Sequence, residues 1–247
     1  MRTVAGVLEN ALSQLFDEAV KVTGAGRTDS GVHATGQVIS LSTGARFPFE
    51  RLGLALRGLL APDCSVRDVT VVDADFSARF CAEERRYVYV ILNRREPAAL
   101  IARYAHHVSS PLDLELMQAA ARPMIGEHDF CAFAAARPGE PTVRRLHRLR
   151  VERYGELVRI EVAADGFLYR MVRIIAGTLI ECGLERTTPT EIEGILGGRD
   201  RLAGPVAPPQ GLYLAGVRYP DGYDSFAEPP ITLRAPSNGL THPTPFP

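Results

Sequence analysis

The chain has 247 residues, of which 46% are hydrophobic and 23% charged, and its formal net charge is −1. These values are typical of a soluble globular protein with one large domain or two small ones. No apolar run approaches the ~20 residues of a membrane-spanning helix, and no secretory signal is evident, so we expect a cytoplasmic protein without a membrane partner. The four cysteines lack metal-binding spacing and are expected to be reduced.

Hydrophobic periodicity predicts helices and strands in the following order. Helical spacing of apolar residues predicts helices over 4–19, 49–60, 113–121, 168–181 and 189–196. Strands are predicted over 37–42, 65–72, 87–92, 148–153, 157–163 and 212–219, with the fourth and fifth forming a hairpin. We expect Tyr87 and Tyr89 to share one face of their strand, where Tyr89 would be half-exposed.

Capping residues support three of the helix ends. Asp113 is a predicted N-cap, and Thr188 to Glu191 forms a capping box with proline at the first helical position. Gly183 fits the position just beyond the end of the 168–181 helix. His128 and Asp129 are interpreted as a structural turn after helix 113–121 rather than as a catalytic pair.

This order of elements predicts an α+β fold with two similar halves. The first half covers 1–75 and the second 76–225, whereas the proline-rich segment 226–247 is predicted to be a disordered tail.

The most informative segment is the glycine-rich stretch 24–38, which places Asp29 between two apolar runs. Glycines permit tight turns and close backbone approaches, and Arg27 is near enough to pair with Asp29 or to bind a phosphate. An ordinary aspartate has a pKa of about 3.9, so Asp29 is expected to be ionised and able to serve as a nucleophile, base or metal ligand. By its spacing alone the segment is equally typical of an ordinary turn, and it matches neither a P-loop nor a dinucleotide fingerprint.

Five blocks, in order along the chain, give this segment a context. The sequence resembles the tRNA pseudouridine synthase A family, whose catalytic aspartate lies in an Arg-Thr-Asp-x-Gly-Val-His-Ala motif. The blocks that carry the resemblance are RTDSGVHA (27–34), FSARF (76–80) followed by RRYVY (85–89), GEHDF (126–130), FLYRMVR (167–173) and PPQGLYL (208–214).

The resemblance implies a pseudouridine synthase fold, in which two halves share a mixed, mostly antiparallel sheet with a central cleft. It implies that Asp29 is the catalytic residue, that Tyr87 contacts the uracil and that Arg173 pairs with the aspartate. We assign Arg27 and Arg79 to phosphate binding and base extrusion. Leu168 and His33 are weaker candidates for substrate contact, because core packing explains Leu168 nearly as well and a structural role explains His33 at least as well.

The family isomerises uridine to pseudouridine at positions 38, 39 and 40 of the tRNA anticodon stem-loop, as a homodimer. The family's substrate implies tRNA as the partner. The reaction requires neither a redox change nor a metal, so we expect no cofactor and no metal. Two alternatives stay open at this stage: a truncated, non-catalytic RNA-binding relative, and a metal-dependent phosphate-ester enzyme. The second lacks another acidic residue near Asp29.

The first residues of the sequence differ from the family pattern. The family has a strand and a loop before its first helix, whereas this sequence begins at that helix. We therefore expect that the sequence starts downstream of the family's usual first residue.

The region 137–159 is rich in basic residues that are interpreted either as an RNA-binding face or as solvent-facing strand residues: Arg137, Arg144, Arg145, His147, Arg148, Arg150, Arg153 and Arg159.

Overall fold

The computed structural model describes residues 2–135, 139–196, 198, 203–220, 223 and 225–226. The described residues contain five α-helices, namely α1 (Val4–Phe16), α2 (Leu52–Leu59), α3 (Leu114–Ala121), α4 (Met171–Gly183) and α5 (Pro189–Ile195). Their ten strands are β1 (Thr23–Gly24), β2 (His33–Ala34), β3 (Ile39–Ser40), β4 (Glu84–Asn93), β5 (His106–Val108), β6 (Gly126–Asp129), β7 (Val143–Tyr154), β8 (Leu157–Ala164), β9 (Leu212–Arg218) and β10 (Ser225–Phe226). Arg137 and the predicted tail beyond Phe226 lie outside the described residues.

Eight of these strands form one mixed sheet. Its path runs β10-β9-β4-β8-β7-β6 through antiparallel pairs, while β2 pairs with β9 and β5 with β4 in parallel. The other two strands, β1 and β3, form a separate antiparallel ribbon. The predicted α+β fold with a mostly antiparallel sheet is therefore confirmed.

The main hydrophobic core lies between one face of the sheet and the helices α3, α4 and α5. Tyr87 and Tyr89 point into this core, whereas Val88 and Val90 pack on the opposite face, as the period of two requires. A smaller core joins α1 to α2 in the first half of the chain.

Most locally determined features are confirmed. The Asp113 carboxylate accepts a hydrogen bond from the backbone N–H of Leu116 at 3.0 Å, and Thr188 forms both hydrogen bonds of a capping box with Glu191. The hairpin β7–β8 is also present, with its turn at 155–156.

Several predicted elements are wrong in type or extent. Helix α1 ends at Phe16 instead of 19, the strand predicted over 37–42 is limited to Ile39–Ser40, and the helix predicted over 49–60 is α-helical only over Leu52–Leu59. The segment 65–72 is not a strand, because it forms no backbone ladder with any of the described strands, and Val71 is 74% exposed. Helix α4 begins at Met171 instead of 168, since Arg170 has the left-handed conformation with φ 60°. His128 and Asp129 belong to strand β6 at the sheet edge and not to a turn.

Gly183 has a different role from the one expected. It is the last residue of α4, and the left-handed residue that follows the helix is Glu185, with φ 59°. A Cβ atom at Gly183 would lie 2.8 Å from the Met117 side chain of α3. The glycine is therefore needed for close helix packing rather than for the helix cap.

The described part of the chain contains no helix with the length and apolar composition needed to cross a membrane.

The attachment of β2 to β9 depends on Gly36. A Cβ atom there would lie 2.2 Å from the Ala215 carbonyl oxygen. We expect Gly36→Ala to lower the free energy of unfolding by about 1–3 kcal/mol, because a methyl group cannot be accommodated without backbone movement. Gly58→Ala on α2 is the control: it has open space around its Cα, so urea unfolding should show unchanged or increased stability. Equal effects of the two changes would contradict this explanation.

Candidate active site

The glycine-rich segment connects the β1–β3 ribbon to the central sheet. Its first part is held by a hydrogen bond from Ala25 N–H to the Val38 carbonyl (2.9 Å) and by the Gln37 side chain, which donates to the Gly26 carbonyl at 2.8 Å. Its last part is held where the N–H groups of Thr35 and Gly36 both donate to the carbonyl of Leu214 in β9. The segment between these anchors carries Asp29.

Asp29 opens a tight turn. The Val32 N–H donates to the Asp29 carbonyl at 3.1 Å, and Gly31 has φ 82°, which favours glycine strongly. A Cβ atom at Gly31 would also lie 3.1 Å from the Pro209 ring. Turn conformation and close packing therefore both require glycine two residues after the aspartate.

Arg173, in the first turn of α4, binds the Asp29 side chain. Its Nη1 donates to Asp29 Oδ2 at 2.6 Å, while its Nε donates to the Ala207 carbonyl at 2.7 Å. The two charged side chains are only 13% and 23% exposed. The guanidinium is thus fixed at two points and orients a carboxylate that lies 144 residues away in sequence.

The loop 205–211 is hydrogen-bonded to both α4 and β4 next to this ion pair. Its Ala207 N–H donates to the Arg173 carbonyl at 3.0 Å, and its Pro208 carbonyl accepts a hydrogen bond from the Tyr89 hydroxyl at 2.9 Å. The loop lies so close to α4 that a Cβ atom at Gly177 would be 1.9 Å from the Pro205 oxygen. The sequence interpretation missed the role of Tyr89, which is fully buried and not half-exposed.

The Tyr87 hydroxyl lies beside Gly26 of the glycine-rich segment. Its hydroxyl oxygen is 3.3 Å from where a Cβ atom of Gly26 would be, and its ring meets that of Phe167 edge to face at 5.1 Å. Burial raises the pKa of Tyr87 to about 12; the Arg85 charge opposes this shift and the Asp29 charge adds to it. The phenol therefore stays protonated at neutral pH and can donate a hydrogen bond.

Arg85 is a second residue that sequence reasoning did not assign. Its guanidinium donates hydrogen bonds to four backbone carbonyls, those of Ala25, Arg79, Ala82 and Asp165. Burial lowers its pKa from the ordinary value. This side chain joins the glycine-rich segment to two other loops, and its position two residues before Tyr87 was the available signal.

The remaining predicted site residues occupy three different environments. Arg27 and Arg79 are exposed, and the Arg79 guanidinium lies over the Phe80 ring at 5.5 Å. Leu168 is 4% exposed within the main core. His33 hydrogen-bonds through Nε2 to the Arg103 carbonyl at 2.9 Å and stacks on Tyr213, so its contacts are structural.

Several of the basic residues on β7 and β8 are engaged with neighbouring groups. Arg148 and Arg159 each bind Glu161 at 2.8 Å, and Arg145 lies 3.5 Å from Glu127. These pairs favour the interpretation of that stretch as ordinary strand residues. Among the residues whose positions are described, no group of three or more His, Cys, Asp or Glu side chains is arranged to hold a metal ion.

The fold and the partly buried Asp–Arg pair are those that the resemblance implies for a pseudouridine synthase. A family model described as tRNA pseudouridine synthase matches residues 120–220. Proteins named tRNA pseudouridine synthase A are similar over most of the chain. The one from Moorella thermoacetica is 45% identical over 221 residues, covering 88% of this chain and 89% of its own length. Those from Acetivibrio thermocellus and Rhizobium leguminosarum bv. trifolii are 43% and 46% identical, covering 88% and 89% of this chain and 90% and 84% of their own lengths.

The chain therefore belongs to the tRNA pseudouridine synthase A family, and it is an enzyme of the pseudouridine synthase class.

A double-mutant cycle tests the energetic coupling of Asp29 and Arg173. We expect Asp29→Ala and Arg173→Met to be non-additive by about 1–3 kcal/mol in urea unfolding, because a charged hydrogen bond largely removed from water is lost once by either change. The pair Arg2–Asp63 is a matched control, since its N···O distance is also 2.6 Å but its side chains are 56% and 61% exposed. It should show much weaker coupling. Equal coupling in the two pairs would contradict the importance of burial.

Proposed function

We propose that this protein converts uridine to pseudouridine at positions 38, 39 and 40 of the tRNA anticodon stem-loop, with Asp29 as the catalytic carboxylate. The observation that carries the proposal is the Asp29–Arg173 ion pair beside the buried Tyr87 hydroxyl. The names of the relatives support tRNA as the substrate. The reaction would take place in the cytoplasm, and we infer a homodimer.

The reaction breaks the N1–C1′ bond and forms a C5–C1′ bond, while C5 loses a proton and N1 gains one. An ionised carboxylate can start it by attacking C1′ or uracil C6, or by removing a proton from the sugar. Arg173 donates a hydrogen bond to Oδ2 of Asp29, and within the described residues no hydrogen bond to Oδ1 is formed. Oδ1 is therefore the oxygen that acts on the substrate.

The two halves of the chain contribute different parts of the site. Asp29 comes from 1–75, whereas Tyr87 and Arg173 come from 76–225, so the substrate would bind between the halves. Tyr87 supplies a flat wall for the uracil and, because it stays protonated, a hydrogen-bond donor. Leu168 packs within the main core close in sequence to Phe167, whose ring contacts Tyr87, and His33 holds the loop through its hydrogen bond to the Arg103 carbonyl.

The target base must leave its stack before it reaches Asp29, which costs a few kcal/mol. Arg27 and Arg79 are exposed on the segments next to the site. Their charges suit phosphate contacts that position the RNA backbone and stabilise the extruded nucleotide.

Mutation of Asp29 tests the catalytic assignment. Wild-type protein incubated with unmodified tRNA and a chelator should produce pseudouridine in the anticodon stem-loop, as mapped by carbodiimide labelling and primer extension. Asp29→Asn and Asp29→Ala should reduce the product below detection, because an amide or methyl group supplies no nucleophile or base. Asp63→Asn, an exposed aspartate of the same half, should retain full activity. Full activity of Asp29→Asn would overturn the mechanism.

Tyr87→Phe tests the protonated phenol. We expect turnover to fall at least about tenfold with little change in tRNA affinity, since one hydrogen bond to the reacting base is lost. The pKa of about 12 means that the donor is lost only as pH rises well above 10. The wild-type to variant rate ratio should therefore be equal at pH 7 and pH 10. An ordinary tyrosine is about half ionised at pH 10, so a smaller ratio there would contradict the buried, neutral phenol.

A further inference from the structure

We propose that Phe80 and Tyr169 are stacking platforms for the nucleotides that flank the target uridine. This inference rests on the proposed function, because it assumes that RNA occupies the site of Asp29.

Both aromatic rings are open to solvent and each is paired with a guanidinium. Phe80 is 80% exposed and Tyr169 is 50% exposed. The Cζ atom of Arg79 lies 5.5 Å from the Phe80 ring centre, and that of Arg170 lies 4.8 Å from the Tyr169 ring centre. Exposed rings beside cationic side chains are the groups that single-stranded nucleic acid binding uses, since every base has a π-face and every nucleotide a phosphate.

Phe80 is tied to the loop that carries Asp29. The Arg85 guanidinium donates to the Arg79 carbonyl and, at 3.3 Å, to the Ala25 carbonyl. The peptide group next to Phe80 and the start of the glycine-rich segment thus share one hydrogen-bond donor. The backbone that carries the exposed ring therefore lies next to the start of the segment that carries Asp29.

Tyr169 lies in the loop that leads into α4. It lies in sequence between Phe167, whose ring contacts Tyr87, and Arg173, which binds Asp29. Its backbone is fixed, because its carbonyl accepts a hydrogen bond from the Ala135 N–H at 3.0 Å, and the left-handed Arg170 follows it. Arg85 also donates to the Asp165 carbonyl at 2.8 Å, so one side chain connects the two loops that carry the rings.

Base extrusion explains why such platforms would be useful. When the target uridine leaves its stack, its neighbours each lose a stacking partner and expose an apolar face. A ring held on a fixed backbone can cover that face without reading the base identity. The adjacent arginine adds attraction for the phosphate of the same nucleotide.

Single-tryptophan proteins measure the contact directly, because the chain has no tryptophan. Phe80→Trp and Tyr169→Trp would be prepared in the Asp29→Asn background and titrated with an unmodified tRNA transcript. We expect fluorescence quenching at both positions, and less quenching with a transcript whose nucleotides flanking the target uridine are abasic. Ile125→Trp is the control: residue 125 is 45% exposed and precedes β6, which three strand pairings separate from β4.

Matched substitutions measure the contribution to binding. Phe80→Leu and Tyr169→Leu keep an apolar side chain but remove the ring, so each should weaken tRNA binding by about 5- to 150-fold. Phe80→Tyr and Tyr169→Phe keep a ring and should bind like the wild type. Circular dichroism and thermal melting of each variant confirm that the fold is retained.

Three results would overturn the stacking proposal: no quenching at 80 and 169, quenching that is equal at 125, or wild-type affinity of both leucine variants. Each can occur while the wild type still forms pseudouridine, so the proposed function would stand. Conversely, a wild type that binds tRNA and forms no pseudouridine would overturn the proposed function, and the quenching pattern would still decide whether bases stack on these rings.

Discussion

The ion pair of Asp29 and Arg173 is the interaction on which the arrangement of the site depends. Both side chains are largely removed from water, and a buried charge is tolerated only when its partner is held in good geometry. That geometry requires the glycine-rich turn and the first turn of α4 to be docked against each other. The rest of the site can be understood as the set of contacts that keeps these two segments in place.

Two supports provide this docking, and both act through backbone atoms. The loop 205–211 contacts α4 through Ala207, β4 through Tyr89 and the Asp29 turn through Pro209. The Arg85 guanidinium donates hydrogen bonds to carbonyl groups of three separate segments. Because such contacts fix the main chain, they can position the side chains of Asp29 and Arg173 without occupying Asp29 Oδ1, which accepts no hydrogen bond within the described residues.

The site combines buried side chains with a border of exposed aromatic and basic side chains. The buried Tyr87 hydroxyl lies beside the glycine-rich segment, whereas the aromatic and basic side chains at 79–80 and 169–170 face solvent. Such a division suits a substrate of which one base is taken inside and the neighbouring nucleotides stay at the surface. It also explains how a protein with a net charge of −1 can bind a polyanion, since the positive charge need only be local.

Features set by neighbouring residues could be read from the sequence. The helix caps at Asp113 and Thr188, the β7–β8 hairpin, the inward faces of the helices and the turn at Asp29 depend on hydrogen bonds and periodicities within a few residues. The pairing of Asp29 with Arg173 was reached only through the family resemblance, because no local pattern connects residues that are 144 positions apart.

Only the tertiary structure decided which segments find partners. The stretch 65–72 has the composition of a strand but lacks a described strand to pair with, and α4 starts three residues late because Arg170 turns the chain. The positioning roles of Tyr89 and Arg85, and the exposure of Phe80, likewise arise from contacts across the fold. The sequence by itself determined the helices, the turn chemistry and the candidate carboxylate; long-range packing decided how that carboxylate is held, because burial and hydrogen-bond partners belong to the folded chain as a whole.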